Sequence, residues 1–344
     1  MKKKILLYAG IVVGLLVLAY AYVPQVLTGK IVNQSDISGW QGMSHEMMEW
    51  NAAHPDDQTA WTESMFGGMP TATIHASTKG DWTQAVYDFL LTGRRPATYL
   101  FLSLLGAWLL MLALGIHPLI AVGGAIAVTF CSYNLQIIQV GHNTKMQALA
   151  FLPMVLAALV FTYRQALPVR RPSDPQGRHS VPQGCHSGLD PEPRPWLPGT
   201  VLGAALFGLA LSFQVKANHP QITYYLALLI LIYVIVLAVN LLRKDSGSSA
   251  GMTGASSAGM TAGSHSGLDP EPRPWGRFFT ASALLLVLGL AGIATNATKL
   301  LPTMEYTPYS MRGGSTAASE GGGGAKGLDL DYATAWSYGW GGLP

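Results

Sequence analysis

Ile222-Thr-Tyr-Tyr-Leu-Ala-Leu-Leu-Ile-Leu-Ile-Tyr-Val-Ile-Val-Leu-Ala-Val-Asn-Leu-Leu242 runs for 21 residues without a charge. At about 1.5 Å of rise per residue, a helix of that length crosses the roughly 30 Å hydrocarbon layer of a bilayer. The stretch lacks the period-2 alternation of a barrel strand. A helix also satisfies its own backbone hydrogen bonds, which lipid cannot do for it. Six further stretches qualify or come close: 5–27, 97–115, 116–137, 147–164, 197–214 and 278–298. The expected fold is an all-α membrane protein, a polytopic bundle of about seven spans with a large first extracytoplasmic loop.

Composition agrees. Of 344 residues, 49% are hydrophobic and 11% charged, against about 25% charged in ordinary globular domains. Mean hydropathy is +0.29. These values exclude a disordered tail, a coiled coil or a disulfide-knotted domain. A net charge of +3 is too weak for a nucleic-acid binder, whose basic residues would be numerous and clustered. Two cysteines, Cys131 and Cys185, make no disulfide framework.

The first run has two readings. Lys2, Lys3 and Lys4, an apolar core and Ala19-Tyr20-Ala21 resemble a cleavable signal peptide. The apolar stretch continues through Tyr22, Val23 and Val26, long for a signal, which favours an uncleaved first helix. Orientation follows from Lys and Arg in the connections. With the N-terminus cytoplasmic, the inner connections and helix ends hold 12 of the 21 basic residues, among them Arg170, Arg171, Arg243, Lys244 and Arg277. The outer segments hold nine, over more sequence.

The expected organisation is a first transmembrane helix at 1–27, an extracytoplasmic loop at 28–96 and three transmembrane helices within 97–164. A cytoplasmic Pro/Gly-rich insert follows at 165–196, then two helices within 197–242 and a cytoplasmic low-complexity insert at 243–277. A last helix at 278–298 leads to an extracytoplasmic segment at 299–344. One 11-residue string, His-Ser-Gly-Leu-Asp-Pro-Glu-Pro-Arg-Pro-Trp, occurs at 186–196 and again at 265–275. Its proline spacing forbids helix and sheet alike. Two copies are too few for a solenoid, and the reading is repetitive sequence inserted where connections tolerate it.

The informative polar residues fall on the expected outer side. Two short turns between apolar helices each carry a His, a Lys and an Asn: Gly141-His-Asn-Thr-Lys-Met-Gln147 and Gln214-Val-Lys-Ala-Asn-His-Pro-Gln221. At the interface long cationic side chains reach water or phosphate. His142, Lys145, Lys216 and His219 are therefore candidates to line a cavity for an anionic lipid headgroup; ordinary snorkelling and turn chemistry is the competing explanation. The 28–96 segment is rich in acids, and Asp36 follows soon after the first helix. Sugar transfer from a lipid phosphate needs a carboxylate to take the acceptor's proton and cations to stabilise the departing phosphate. A solvated loop residue or an Asx turn in Asn33-Gln34-Ser35-Asp36 explains Asp36 equally well on spacing. His45-Glu46-Met47-Met48-Glu49 lacks the second His of a zincin motif, so no metal is indicated. No P-loop and no nucleophile elbow is present.

Several segments resemble the YfhO family of bacterial integral membrane proteins. They are Trp61-Thr-Glu-Ser-Met-Phe-Gly-Gly-Met-Pro70, the Gly141–Gln147 turn, Ala217-Asn-His-Pro-Gln-Ile-Thr-Tyr-Tyr225, Leu300-Leu-Pro-Thr-Met-Glu-Tyr306 and Gly327–Gly339. The resemblance implies a GT-C-like fold in the bacterial cytoplasmic membrane, of which this chain is the N-terminal portion. It implies a glycosyltransferase that takes sugar from a polyprenyl-phosphate carrier on the outer face and passes it to an envelope glycan. It makes Asp36 the base and places Gln41 as a polar partner. In a transferase, Glu63, Glu305 and Arg312 are the further candidates to shape the sugar site. Two other readings stand beside it: a lipid-linked-glycan transporter, which needs polar residues lining a path at mid-membrane, and a non-catalytic scaffold.

Overall fold

The computed structural model describes residues 2–65, 67–71, 74, 81, 83–167, 196–249 and 274–307. In chain order its helices are α1 (Lys2–Tyr22), α2 (Ser35–Ala53), α3 (Gln84–Leu90), α4 (Ala97–Ala113), α5 (Pro118–Thr129), α6 (Ser132–Val140), α7 (Asn143–Ala166), α8 (Trp196–Lys216), α9 (Pro220–Ser249), α10 (Pro274–Ala294) and α11 (Ala297–Tyr306). One hairpin pairs β1 (Trp61–Thr62) with β2 (Met69–Pro70), antiparallel, Trp61 facing Pro70. The chain divides into two units: Met1–Gln34 with Ala85–Ala294, and Ser35–Gln84 with Thr295–Pro344.

In the first unit α7 is the hub. It packs along α8 and α4; α10 lies on α8, and α1 and α5 lie on α4. Ile11, Leu15 and Ala19 of α1 recur every four residues, so one stripe of the helix faces inward. They join Tyr99, Leu100, Leu104 and Trp108 of α4 in a buried cluster. Glycine permits the closest crossing. A Cβ on Gly292 of α10 would strike the carbonyl oxygen of Gly208 on α8. Small residues let helix backbones approach this way, which is how helices associate without a hydrophobic drive between them.

Among the described residues five helices are long and apolar enough to span: Lys3–Tyr22, Asn143–Ala166, Trp196–Lys216, Pro220–Arg243 and Pro274–Ala294. The best evidence for a lipid solvent is α9. Only 6% of its apolar window is buried within the protein, against 61% for α7. Leu228, Leu229, Leu231, Ile232, Ile235 and Val236 are all exposed on it. A contiguous aliphatic surface of that kind is stable against lipid and aggregates in water.

The seven expected stretches are thus redrawn. Stretch 116–137 divides into α5 and α6, which bend by 49° at Phe130–Cys131. The break frees the carbonyls of Val128 and Thr129, and the Asn134 side-chain amide donates to both, at 3.0 and 3.2 Å. A broken span survives in a membrane only when its liberated backbone groups are satisfied in this way. Stretch 97–115 is α4, 17 residues long, or about 25 Å, short of the hydrocarbon thickness. Counting the bent pair as one span gives six.

The 28–96 segment, expected as a loop, contains α2, the hairpin and α3. In the second unit, α2 and the hairpin are joined through Glu46. Its Oε2 accepts from Ser64 Oγ (2.8 Å), the Glu63 and Ser64 backbone amides (3.1 Å each) and Thr62 Oγ1 (3.2 Å). Most of the two inserts, both copies of the repeat up to their final residues, and the Gly327–Gly339 motif lie outside the described residues.

Candidate functional site

Gly141 ends α6 in the left-handed conformation, φ 111°, which glycine adopts without the steric cost a Cβ brings. The chain turns there and His142 becomes the N-cap of α7. Lys145 follows within the first turn, half-buried, with its ammonium 5.1 Å from the Tyr133 ring centroid on α6. No carboxylate among the described residues pairs with Lys145.

The end of α8 arrives beside this turn. Ala148 of α7, Ala217 and Ile222 pack into one buried cluster, holding the α7 start against the α8–α9 connection. Lys216 occupies the last turn of α8 and is only 7% exposed. A cation at a helix C-terminus complements the helix dipole, and the Lys216 ammonium also lies 5.7 Å from the Tyr87 ring centroid. Burial pushes the Tyr87 phenol up, with Tyr99 adding to the effect, so it remains a hydrogen-bond donor. That donor goes to Gln147 Oε1 at 2.6 Å, and Gln147 Nε2 donates to Tyr99 Oη at 3.1 Å. Arg95 stands over the Tyr99 ring at 5.9 Å.

His219 completes the group. It lies in the connection between α8 and α9, half-buried, after Asn218 in the left-handed region. Burial lowers its pKa first; Lys145 and then His142 lower it further. Three cation-capable side chains from two separate turns therefore feel one another. Two buried polar atoms nearby in sequence have no hydrogen-bond partner, His219 Nδ1 and Gln214 Nε2. Gln214 is fully buried, and its other amide atom accepts from Thr223 Oγ1 at 3.1 Å. Buried polar atoms without a partner are uncommon in folded proteins.

The structure thus brings His142, Lys145, Lys216 and His219 to one end of the first unit. The remaining candidates among the described residues belong to the second unit. Asp36 sits in the first turn of α2 and is exposed; a carboxylate there is favoured by the helix dipole. Gln41 is exposed on the same helix, and five residues place it about 140° around from Asp36. Glu63 is exposed after β1 and lines an open groove of about 850 Å³ with Glu49, Trp50, His54, Asp57 and Trp61. Glu46, at the edge of that groove, is held below the usual carboxylate range, chiefly by the Ser64 hydroxyl and then the Glu63 amide. His45 and Glu49 face each other at 3.3 Å. Among the described residues no three His, Cys, Asp or Glu side chains gather as a metal site. Glu305 is exposed on α11. Arg312 lies outside the described residues.

Sequence reasoning missed Tyr87, Tyr99, Tyr133 and Arg95 as members of the cationic site. Gln147 and Gln214 stood within the quoted turns, and their place beside the His-Lys pairs was the available signal.

The fold and this site define a polytopic α-helical membrane protein with a cation-rich end. No protein-family model, no curated protein and no solved structure matches the chain.

Proposed function

We propose that this chain is a membrane glycosyltransferase of GT-C-like, YfhO-family type. In this reading it takes a sugar from a polyprenyl-phosphate donor and passes it to an envelope glycan at the outer face of the cytoplasmic membrane. The N-terminus is then cytoplasmic, as the basic residues of 165–196 and 243–277 favour. The observation that carries the proposal is the convergence of Lys145, Lys216 and His219, with His142, at one end of the helical unit.

The chemistry follows from charge. In sugar transfer the anomeric C–O bond to phosphate breaks and a C–O bond to the acceptor hydroxyl forms. Lys145, Lys216 and protonated His219 bind the phosphate oxygens and stabilise the negative charge that stays on them. Gln214 Nε2 is an uncharged donor for the same group. The acceptor's proton goes to a carboxylate, and the family resemblance assigns that role to Asp36. General-base catalysis of this kind contributes about 10²–10⁴-fold.

Purified protein in lipid nanodiscs, incubated with radiolabelled polyprenyl-phosphoryl sugar and envelope glycan, tests the proposal. Transfer that requires Asp36 and is lost in Asp36→Asn supports it; undiminished transfer by Asp36→Asn removes Asp36 from the mechanism. A second reading, a lipid-linked-glycan transporter, draws on the broken α5–α6 span, since transporters use discontinuous helices. Labelled lipid crossing proteoliposomes without covalent transfer favours that reading.

A further inference from the structure

Residues 35–78 contain neither Lys nor Arg, yet carry Asp36, Glu46, Glu49, Asp56, Asp57 and Glu63. The chain as a whole has a net charge of +3, so this stretch runs against it. Within the second unit the fold brings four of these acids to the 850 Å³ groove. Glu46, Glu49, Trp50 and Ala53 stand at i, i+3, i+4 and i+7 of α2, which is one helix face, and all four line the groove. The facing wall is the returning segment 57–63.

Hydrogen bonds fix that wall to the helix. Asn51 Nδ2 donates to the Thr59 carbonyl at 3.1 Å, and the Thr59 amide donates back to Asn51 Oδ1 at 2.7 Å. Trp50 Nε1 donates to the Asp57 carbonyl at 3.0 Å, and its ring stacks on His54 with centroids 4.0 Å apart. Trp61 is backed by Gly68 of the hairpin turn, where an added Cβ would stand 2.6 Å from the indole. Both indoles are thus held in place, and both stay open to the outside, 46% and 48% exposed.

The four acids are not equivalent. Glu46 binds the hairpin and Glu49 faces His45. No side chain among the described residues meets the Asp57 or Glu63 carboxylate. The groove therefore offers fixed aromatic surface, two uncommitted carboxylates and a lining without Lys or Arg. Ordinary solvated surface mixes both signs of charge. An anion is repelled here, and a neutral apolar ligand leaves the carboxylates unanswered. A cation on an apolar frame suits both features, because indole faces attract cations and the carboxylates neutralise them.

The geometry points to a binding site for a small organic ammonium in the groove between α2 and residues 57–63. The site lies within the second unit and does not depend on the head-group reading above; its ligand has the opposite charge. Its volume falls within the range of small-molecule pockets.

The test is a saturation-transfer NMR titration of the full chain in maltoside detergent, which carries no ammonium of its own. Choline and its uncharged isostere 3,3-dimethylbutan-1-ol are the main probes. Choline should bind about tenfold more tightly, the return for a cation against indole and carboxylate. Phosphocholine, which adds a phosphate, separates a free ammonium from a lipid headgroup and should bind more weakly than choline. Asp57→Asn/Glu63→Gln should remove most of the choline advantage with the unfolding midpoint retained. Each single change, at an exposed residue, should remove part of it. Trp61→Phe keeps an aromatic ring and should weaken choline less than Trp61→Leu. Equal binding of choline and the isostere overturns the inference. So does a choline advantage that survives in the folded carboxamide variants, or phosphocholine binding more tightly than choline.

Discussion

Gln34 and Asn143, 109 residues apart in sequence, exchange two amide hydrogen bonds of 3.2 Å each. Gln34 Nε2 also donates to the Ile138 carbonyl at 2.5 Å. The pair ties the segment after α1 to the start of α7, one residue from His142. Asn143 is 7% exposed, so breaking the pair strands a buried amide. Gln34→Leu or Asn143→Leu should each cost about 1–3 kcal/mol. In a double-mutant cycle read by thermal unfolding in detergent, Gln34→Leu with Asn143→Leu should cost less than the sum of the singles. Strict additivity would show that the pair contributes nothing of its own.

The α8–α10 crossing predicts a sharp contrast between glycines. Gly292→Ala drives a methyl into the Gly208 carbonyl, whereas a Cβ on Gly14 of α1 meets nothing within 4 Å. Overpacking of this kind costs about 1–3 kcal/mol. Gly292→Ala should therefore lower the midpoint of thermal unfolding clearly, and Gly14→Ala should leave it unchanged or raise it slightly. Equal effects would mean that the crossing is looser than described.

His219 gives a pH dependence whose sign is fixed. Its folded pKa lies below the ordinary 6.5, through burial, Lys145 and His142. The unfolded chain therefore binds more protons between the folded pKa and 6.5. Stability should fall as pH drops through that window, and the loss should shrink in His219→Gln. Bound anion reverses the electrostatics, because negative charge favours the imidazolium. Sulfate, whose own charge is constant over the range, should bind more tightly at pH 5.5 than at pH 7.5, and His219→Gln should flatten the profile. A flat profile in the unaltered protein would take His219 out of the anion site.

Hydrophobicity made most of the bundle legible. The Ile222–Leu242 run reads as a span because a helix apolar on every side needs an apolar surround, and α9 is the least covered by protein of the candidate spans among the described residues. The break at Phe130–Cys131 was not legible: apolar residues continue across it, and the signal was one asparagine, Asn134, whose amide replaces lost backbone bonds. Helix α2 was hidden because Ser35, Gly39 and Gly42 weaken helical preference, while the Met and Glu residues from Met43 to Glu49 support it. The cation cluster was half legible. Paired His-Lys turns pointed to it, but Tyr87 and Gln147 enter through contacts between sequence-distant helices, which local spacing does not encode. Glu63, Glu305 and Asp36 are exposed residues of the second unit, and no contact among the described residues marks them out from sequence.

In the proposed function Lys145 and Lys216 hold the phosphate of a lipid. This is tested most directly by the affinity of the nanodisc-embedded protein for fluorescent polyprenyl phosphate, compared with Lys145→Gln/Lys216→Gln. Charge-assisted hydrogen bonds contribute about 1.5–3 kcal/mol each, so the double variant should bind at least about 100-fold more weakly with its unfolding midpoint retained. Undiminished affinity in a folded double variant would contradict the claim.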